Sequence, residues 1–228
     1  MSSRLTPEHR TAARAVAALV AEHIQQVVDR EIKSINEVAR EYDRQLSRFA
    51  LQVLHGMMDA VDFRRAHKAL LHEMARSMGV EGWLEGGGKA DDFEAEDLDV
   101  MDEWESGQAA FVNDFAAWLA SKGEDGTRNS AEKRGALDVR IEAWVTSLMN
   151  LGDQMKARAK GDPFLTFRGD DGVDSCDECQ EYQDQRHKLS WWEKRGLTKR
   201  NGNDTFGCGR WHVCNHHYYY DDGEMAIE

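Results

Sequence analysis

Proline is scarce in this sequence, which has only two in 228 residues, and basic residues are in the minority. There are 29 Lys and Arg against 42 Asp and Glu, giving a formal net charge of −13. Because phosphate contacts need Lys and Arg, this balance disfavours a chain that binds nucleic acid over its whole surface. No apolar run reaches the roughly 20 residues of a membrane span, and MSSRLTPEHR lacks the apolar core of a signal peptide. We therefore expect a soluble protein, made in a reducing cytoplasm, without membrane contact.

The scarcity of proline leaves long stretches of good helix formers uninterrupted, which predicts a mainly α fold. We expect an elongated helical bundle over residues 1–160 and a small α+β module over residues 161–228. The boundary falls at Gly161-Asp162-Pro163, because glycine and proline end a helix.

Helical spacing of apolar residues indicates the members of the bundle. The first stripe starts after Thr6 and runs to Val53, as one helix of about 50 residues or as two helices bent near Lys33-Ser34. A second helix is expected over residues 62–78, with Asp62 as N-cap and Gly79 just past its end. Two further helices are expected, one carrying Trp104, Phe111, Phe115, Trp118 and Leu119, and one capped by Asn129 and carrying Leu137, Ile141, Trp144, Val145, Leu148, Leu151 and Met155.

Two segments of opposite charge stand out. Residues 91–105 hold nine carboxylates and no base, which is typical of a solvated acidic face at a helix start. Residues 186–213 hold seven Lys or Arg against two acids, with Trp191 and Trp192 among them. These tryptophans fit a small core or a protein interface, and DNA contact through residues 186–210 is an alternative. We also expect the acidic and basic segments to meet, within a subunit or between neighbours.

All four cysteines lie in one 39-residue window, as Cys176-x-x-Cys179 and, after 28 residues, Cys208 and Cys214. A C-x-x-C turn can direct two thiolates at one tetrahedral zinc, and a distant second pair completes the shell. A structural zinc site fits this spacing best. A bound ion would also supply folding energy to a segment that is small and polar. Two disulfides and unconnected buried thiols are the alternatives. The second pair is loosely spaced, so His216 or His212 could replace Cys208 as a ligand.

The end of the chain resembles the C-terminal domain of phage minor head proteins, the Mu-type head-morphogenesis family. That domain has an apolar strand, C-x-x-C, a Q-x-H segment, a tryptophan, a G-I-x-P turn and a final cysteine cluster. The counterparts here, in order, are residues 164–167, Cys176 to Cys179, Gln185 to His187, Trp191-Trp192, Gly196-Leu197 and residues 208–216. Lys199 stands in place of the family's proline, the final cluster has an extra residue, and His216 replaces the last cysteine.

The resemblance implies a non-catalytic virion protein, a minor head protein associated with the portal or the inner head wall. It further implies multiple copies per particle and contact with portal, major capsid or neck proteins. Such a protein would be in the host cytoplasm during assembly and then in the virion. No catalytic constellation stands out in the residues themselves, so we expect no enzymatic activity.

Two other functions are considered. His187, His212, His216 and His217 near the cysteine pairs, with Asp221 and Asp222, suggest a zinc-stapled HNH-like nuclease. The basic loop and its tryptophans suggest a zinc-containing adaptor or regulator that binds protein or nucleic acid.

Overall fold

The computed structural model of the chain describes residues 34–124, 131–169, 177–198 and 216–227. The described part is mostly helical with one small antiparallel sheet, which confirms the expected mainly α class. Its four long helices are α1 (Ile35–Leu54), α2 (Ala60–Glu85), α3 (Ala95–Glu124) and α4 (Ala131–Ala159), with a 3-10 turn at Ala90–Asp92 before α3. None of the described helices combines the length and the apolar character needed to cross a bilayer.

Helix α1 has a clear beginning at Ser34. This residue has extended backbone, and its hydroxyl accepts from the Glu37 N–H while the Glu37 carboxylate accepts from the Ser34 N–H. Such a reciprocal capping box marks the first turn of a helix, so the helix does not continue before Ser34. A single helix running through Lys33-Ser34 is therefore wrong, and the predicted stripe before Ser34 lies outside the described residues.

Helix α2 is longer at both ends than the sequence predicted. Its N-cap is Asp59, whose side chain accepts from the N–H groups of Val61 and Asp62, so the assignment of Asp62 as the cap is wrong. Gly79 does not end the helix either. It lies inside α2, where a Cβ atom would meet the Met101 sulfur at 2.1 Å. The glycine serves close helix packing and not a helix end.

The helices pack around one apolar core. The stripes predicted for α3 and α4 are confirmed, because Trp104, Phe115 and Leu119 are buried, as are Ile141 and Trp144. Helices α2 and α4 approach closely at a pair of glycines, where a Cβ on Gly82 would lie 2.1 Å from the Gly152 carbonyl oxygen. The predicted cap Asn129 lies outside the described residues.

The chain after α4 forms a four-stranded antiparallel sheet with two short helices. Gly161, with a φ of 89°, follows the last turn of α4. The elements in chain order are β1 (Phe164–Gly169), α5 (Asp177–Tyr182), β2 (Arg186–Lys188), α6 (Leu189–Lys194), β3 (His216–Tyr219) and β4 (Met225–Ile227). The strand order is β2-β1-β3-β4. The strand predicted over residues 164–168 is confirmed and one residue longer.

The sheet and its helices have a second apolar core, to which the end of α4 contributes. Ala157 of α4 is fully buried in this second core, beside residues such as Phe167, Trp192 and Tyr218. Arg158, the next residue, joins α3 to α6 through two ion pairs, with Asp97 and with Glu193. The proposed boundary near residue 160 therefore lies where α4 belongs to both cores.

Candidate metal centre and its surroundings

The inner face of β1 is the surface on which the candidate site is built. Leu165 and Phe167 alternate on this face and are fully buried, and Gly169 follows two residues later. Antiparallel pairing places Tyr218 opposite Phe167 and His216 opposite Gly169. Because directly paired residues project to the same side of a sheet, His216 lies on the inner face.

His216 is held in a slot that the glycine leaves open. The side chain is only 3% exposed, and its ring stacks on Phe167 with centroids 5.1 Å apart and planes 18° apart. A Cβ atom on Gly169 would lie 2.5 Å from His216 Nε2. Gly169 therefore provides the space that this imidazole occupies, and any larger residue would displace the ring.

Cys179 reaches the same core from α5. It is 1% exposed and belongs to the apolar cluster that includes Phe167 and Trp192. The segment after α5 is fastened to the end of β1, since the Asp184 N–H donates to the Phe167 carbonyl oxygen at 2.8 Å. The Gly169 N–H in turn donates to Gln183 Oε1 at 3.1 Å. These bonds place the segment after α5 at the end of β1 that pairs with the start of β3.

The two candidate ligands in the described part of the chain are thus a buried thiol and a buried imidazole in one small core. Sulfur and imidazole nitrogen are the donors that zinc prefers in structural sites. The other candidates, Cys176, Cys208, Cys214 and His212, lie outside the described residues. Within residues 34–124, 131–169, 177–198 and 216–227, no group of three or more potential ligands comes together. The zinc site and its ligand set stay predictions.

Trp192 is a core residue. It is fully buried, and its indole N–H is shared between the carbonyl oxygens of Leu165 and His187, each at 3.2 Å. Trp191 is half-buried, with the His187 ring stacked on it at 3.6 Å and the Arg195 guanidinium 3.7 Å from its centroid. The interpretation that the tryptophans cover a small core is confirmed for Trp192.

The histidines and acids of the nuclease hypothesis do not converge among the described residues. His187 pairs with Leu165 and His216 with Gly169, four residues further along β1, which is about 13 Å of strand. His217 pairs with the exposed Arg168 and so projects from the opposite face. Asp221 accepts two hydrogen bonds from Arg186, at 2.7 and 2.5 Å, and these lower the pKa of the carboxyl.

The acidic segment is not uniformly a solvated face. Asp97 is 4% exposed and accepts from Arg158 Nε at 2.7 Å. Two further acids of this segment pair with bases of α2: Asp102 with Arg76, and Glu105 with His72. The expectation of a solvated face is therefore wrong for Asp97.

In the described residues, the acidic and basic segments are joined through a third residue, Arg158, and not by direct pairing of the predicted acids and bases. Arg158 of α4 lies between Asp97 of α3 and Glu193 of α6, to which its Nη1 donates at 2.8 Å. Burial lowers the pKa of this guanidinium, but Glu193 and Asp97 outweigh it and raise the pKa overall. Of the predicted bases, Arg186 pairs with Asp221 and Lys188 with Asp162. The rest of the loop, from Lys199 to Arg210, lies outside the described residues.

Sequence reasoning did not identify two residues that matter for the site. Arg158 joins the two cores, and Gly169 shapes the slot that holds His216. Nothing in the sequence around Arg158 indicates its partners, because Asp97 and Glu193 are far from it along the chain. The sequence gives little indication of the role of Gly169. The only available signal was its position at the end of an apolar strand, where a glycine can permit close approach of another group.

Comparison of the chain with protein-family models, with curated proteins and with solved structures finds no match.

Proposed function

We propose that this chain is a structural and assembly protein of a phage virion, a minor head protein associated with the portal or the inner head wall. It is non-catalytic, and a structural zinc ion holds its C-terminal module together. The observation that carries the proposal is that Cys179 and His216 are each buried against the core that contains Phe167. Both are buried in the core under one end of β1, and both belong to the ordered motif that resembles the family.

Chemistry supports zinc at this position. Among the residues that the structure describes, the second core has ten buried members including Cys179, and strands β2 and β4 have three residues each. Such a module gains a large part of its folding energy from a bound ion when one is available. Cys176 precedes Cys179 by three residues and Cys214 precedes His216 by two. Each described ligand thus has a candidate partner close to it in the chain.

Three four-ligand sets are compatible with this argument, one with four cysteines and two in which a histidine replaces one of them. The first comprises the four cysteines, Cys176, Cys179, Cys208 and Cys214. In the other two, His216 or His212 takes the place of Cys208. The burial of His216 on the inner face favours the set that includes His216. In each set the ion has four protein ligands, which is the closed coordination of a structural site.

The role in the particle is supported by the way the two parts are joined. A long helical bundle suits packing against other subunits, and the Arg158 ion pairs attach the module to the bundle. A helical bundle with an attached terminal module suits a component that contacts larger virion proteins.

The experiment is deletion of the gene from the phage that encodes the chain, followed by negative-stain imaging of the particles. We expect defective or missing heads, restored by the wild-type gene supplied in trans. Complementation with Cys179→Ser should fail to restore them, whereas His217→Gln, which alters the opposite face of the sheet, should succeed. Normal and infectious heads without the gene would refute the proposal.

A further inference from the structure

A groove between α3 and α4 is a feature of the bundle surface that the proposed function does not use. It has a volume of about 620 Å³. Phe111, Phe115 and Trp144 form its apolar lining, and Asp114 and Arg140 carry opposite charges within it. The groove is on the bundle, away from Cys179 and His216, and the proposed zinc site does not use it.

One wall of the groove is a face of α4 on which Ala136, Val139 and Arg140 are exposed and Ala143 is buried. Ala136, Val139, Arg140 and Ala143 follow the spacing i, i+3, i+4, i+7 and therefore lie on one side of the helix. Val139 is 52% exposed although it is a large apolar residue. Next to it, Gly135 has open space where a Cβ would be. The small side chains on this face let another helix approach α4 closely.

These features make the surface self-complementary. The same patch offers a projecting apolar side chain, Val139, and an apolar groove able to receive one. It also offers one exposed acid and one base, Asp114 on α3 and Arg140 on α4. A two-fold axis places each feature of one copy opposite its complement on the other, which is the geometry of an isologous dimer.

We propose that the groove between α3 and α4 is a homodimer interface whose occupant is α4 of a second copy of this chain. Val139 of each copy enters the groove of the other and packs on Phe111 and Trp144. Arg140 of one copy faces Asp114 of its partner. The inference does not depend on the role in the virion, because it rests on the bundle surface alone.

The first test is sedimentation velocity of the purified full chain, from about 1 to 100 µM, the range in which a micromolar complex dissociates. We expect a concentration-dependent dimer. Val139→Glu should raise the dissociation constant at least about tenfold, because it buries an unpaired charge in the groove. Val61→Glu is the matched control, since Val61 is a similarly exposed valine, at 53%, on α2. It should leave the dimer unchanged.

Charge exchange gives the sharper test. Asp114→Lys and Arg140→Glu should each weaken the dimer, and an equimolar mixture of the two variants should recover it as a heterodimer. A mixture that stays as weak as either single variant overturns the proposed pairing.

A full chain that is monomeric over the whole range overturns the proposal. If Val139→Glu then also lowers the melting temperature strongly, the groove is filled from within the chain, and residues 1–33 are the candidate. If it leaves the melting temperature unchanged, the groove is open to a different protein.

Discussion

Arg158 provides the most informative test of how the module is attached to the bundle. Its side chain is 19% exposed, and those of Asp97 and Glu193 are 6% and 17% exposed. Replacement by methionine keeps most of the volume but removes the positive charge. Asp97 and Glu193 then remain close together with no cation between them.

The magnitude follows from the burial of the partners. Breaking a buried ion pair by removing one partner costs about 3–5 kcal/mol, since an uncompensated charge is left behind. Solvent reaches part of this site, so we expect the lower end, about 3 kcal/mol, for Arg158→Met. Arg158→Lys keeps the charge but cannot bond both carboxylates with a planar fork, so we expect a smaller loss of about 1–2 kcal/mol.

The assay is urea unfolding followed by two signals. Far-UV circular dichroism reports mainly the helices, and tryptophan fluorescence includes the buried Trp192 of the module. Wild-type protein should show coincident transitions, whereas in Arg158→Met the part of the fluorescence change that comes from Trp191 and Trp192 should move to lower urea. The part that comes from the four tryptophans of the long helices should move less. The matched control is Arg44→Met, which removes an ion pair with Glu41 from a side chain that is 67% exposed and should cost less than about 1 kcal/mol. Equal effects of the two substitutions would refute the reasoning.

Further predictions concern three glycines and the buried His67. Gly82→Ala should destabilise the fold by about 1–3 kcal/mol or more in urea unfolding, because its Cβ would meet the Gly152 carbonyl oxygen at 2.1 Å. Gly135→Ala, with open space at its Cβ, should instead be neutral or stabilising by up to about 1 kcal/mol. Gly169→Ala should displace His216 from its slot and reduce the zinc bound per chain, whereas Gly135→Ala should leave it unchanged. His67 is fully buried, and desolvation lowers its pKa to about 3. In the unfolded chain this histidine takes up a proton near pH 6.5. The free energy of unfolding is therefore at its full value above that pH and decreases below it. Between about pH 7.5 and 5 the free energy of unfolding should fall by about 2 kcal/mol. His67→Phe should remove this part of the pH dependence. An unchanged dependence of the unfolding free energy on pH in this variant would contradict the attribution to His67.

The helices were the most predictable part of the fold. Their apolar residues repeat at a spacing that places them on one face only if the segment is helical. Trp144 and Leu148 on α4 are buried as that spacing predicts. The sequence indicated Phe164 to Arg168 as a strand for a similar reason. Strands of three residues, such as β2 and β4, are too short for a period to be visible, and their pairing depends on contacts distant in sequence.

Glycines and charges were harder to interpret, because each residue fits several environments. Gly79 resembled a helix end, but it lies inside α2, where the Met101 side chain occupies the space of a Cβ. Asp97 resembled its eight acidic neighbours, and only the approach of α4 places Arg158 against it. In the candidate site the sequence named both Cys179 and His216 but could not indicate that they share one core with Phe167.

Elemental analysis of the purified full chain, with Cys179→Ser and His216→Gln as variants and His217→Gln as control, tests the central claim most directly. We predict about one zinc per chain in wild-type and control protein and clearly less in both variants. We also predict that chelation lowers the melting temperature. A wild-type chain purified under reducing conditions with zinc present that still contains no zinc, or one whose cysteines form disulfides, would contradict the account.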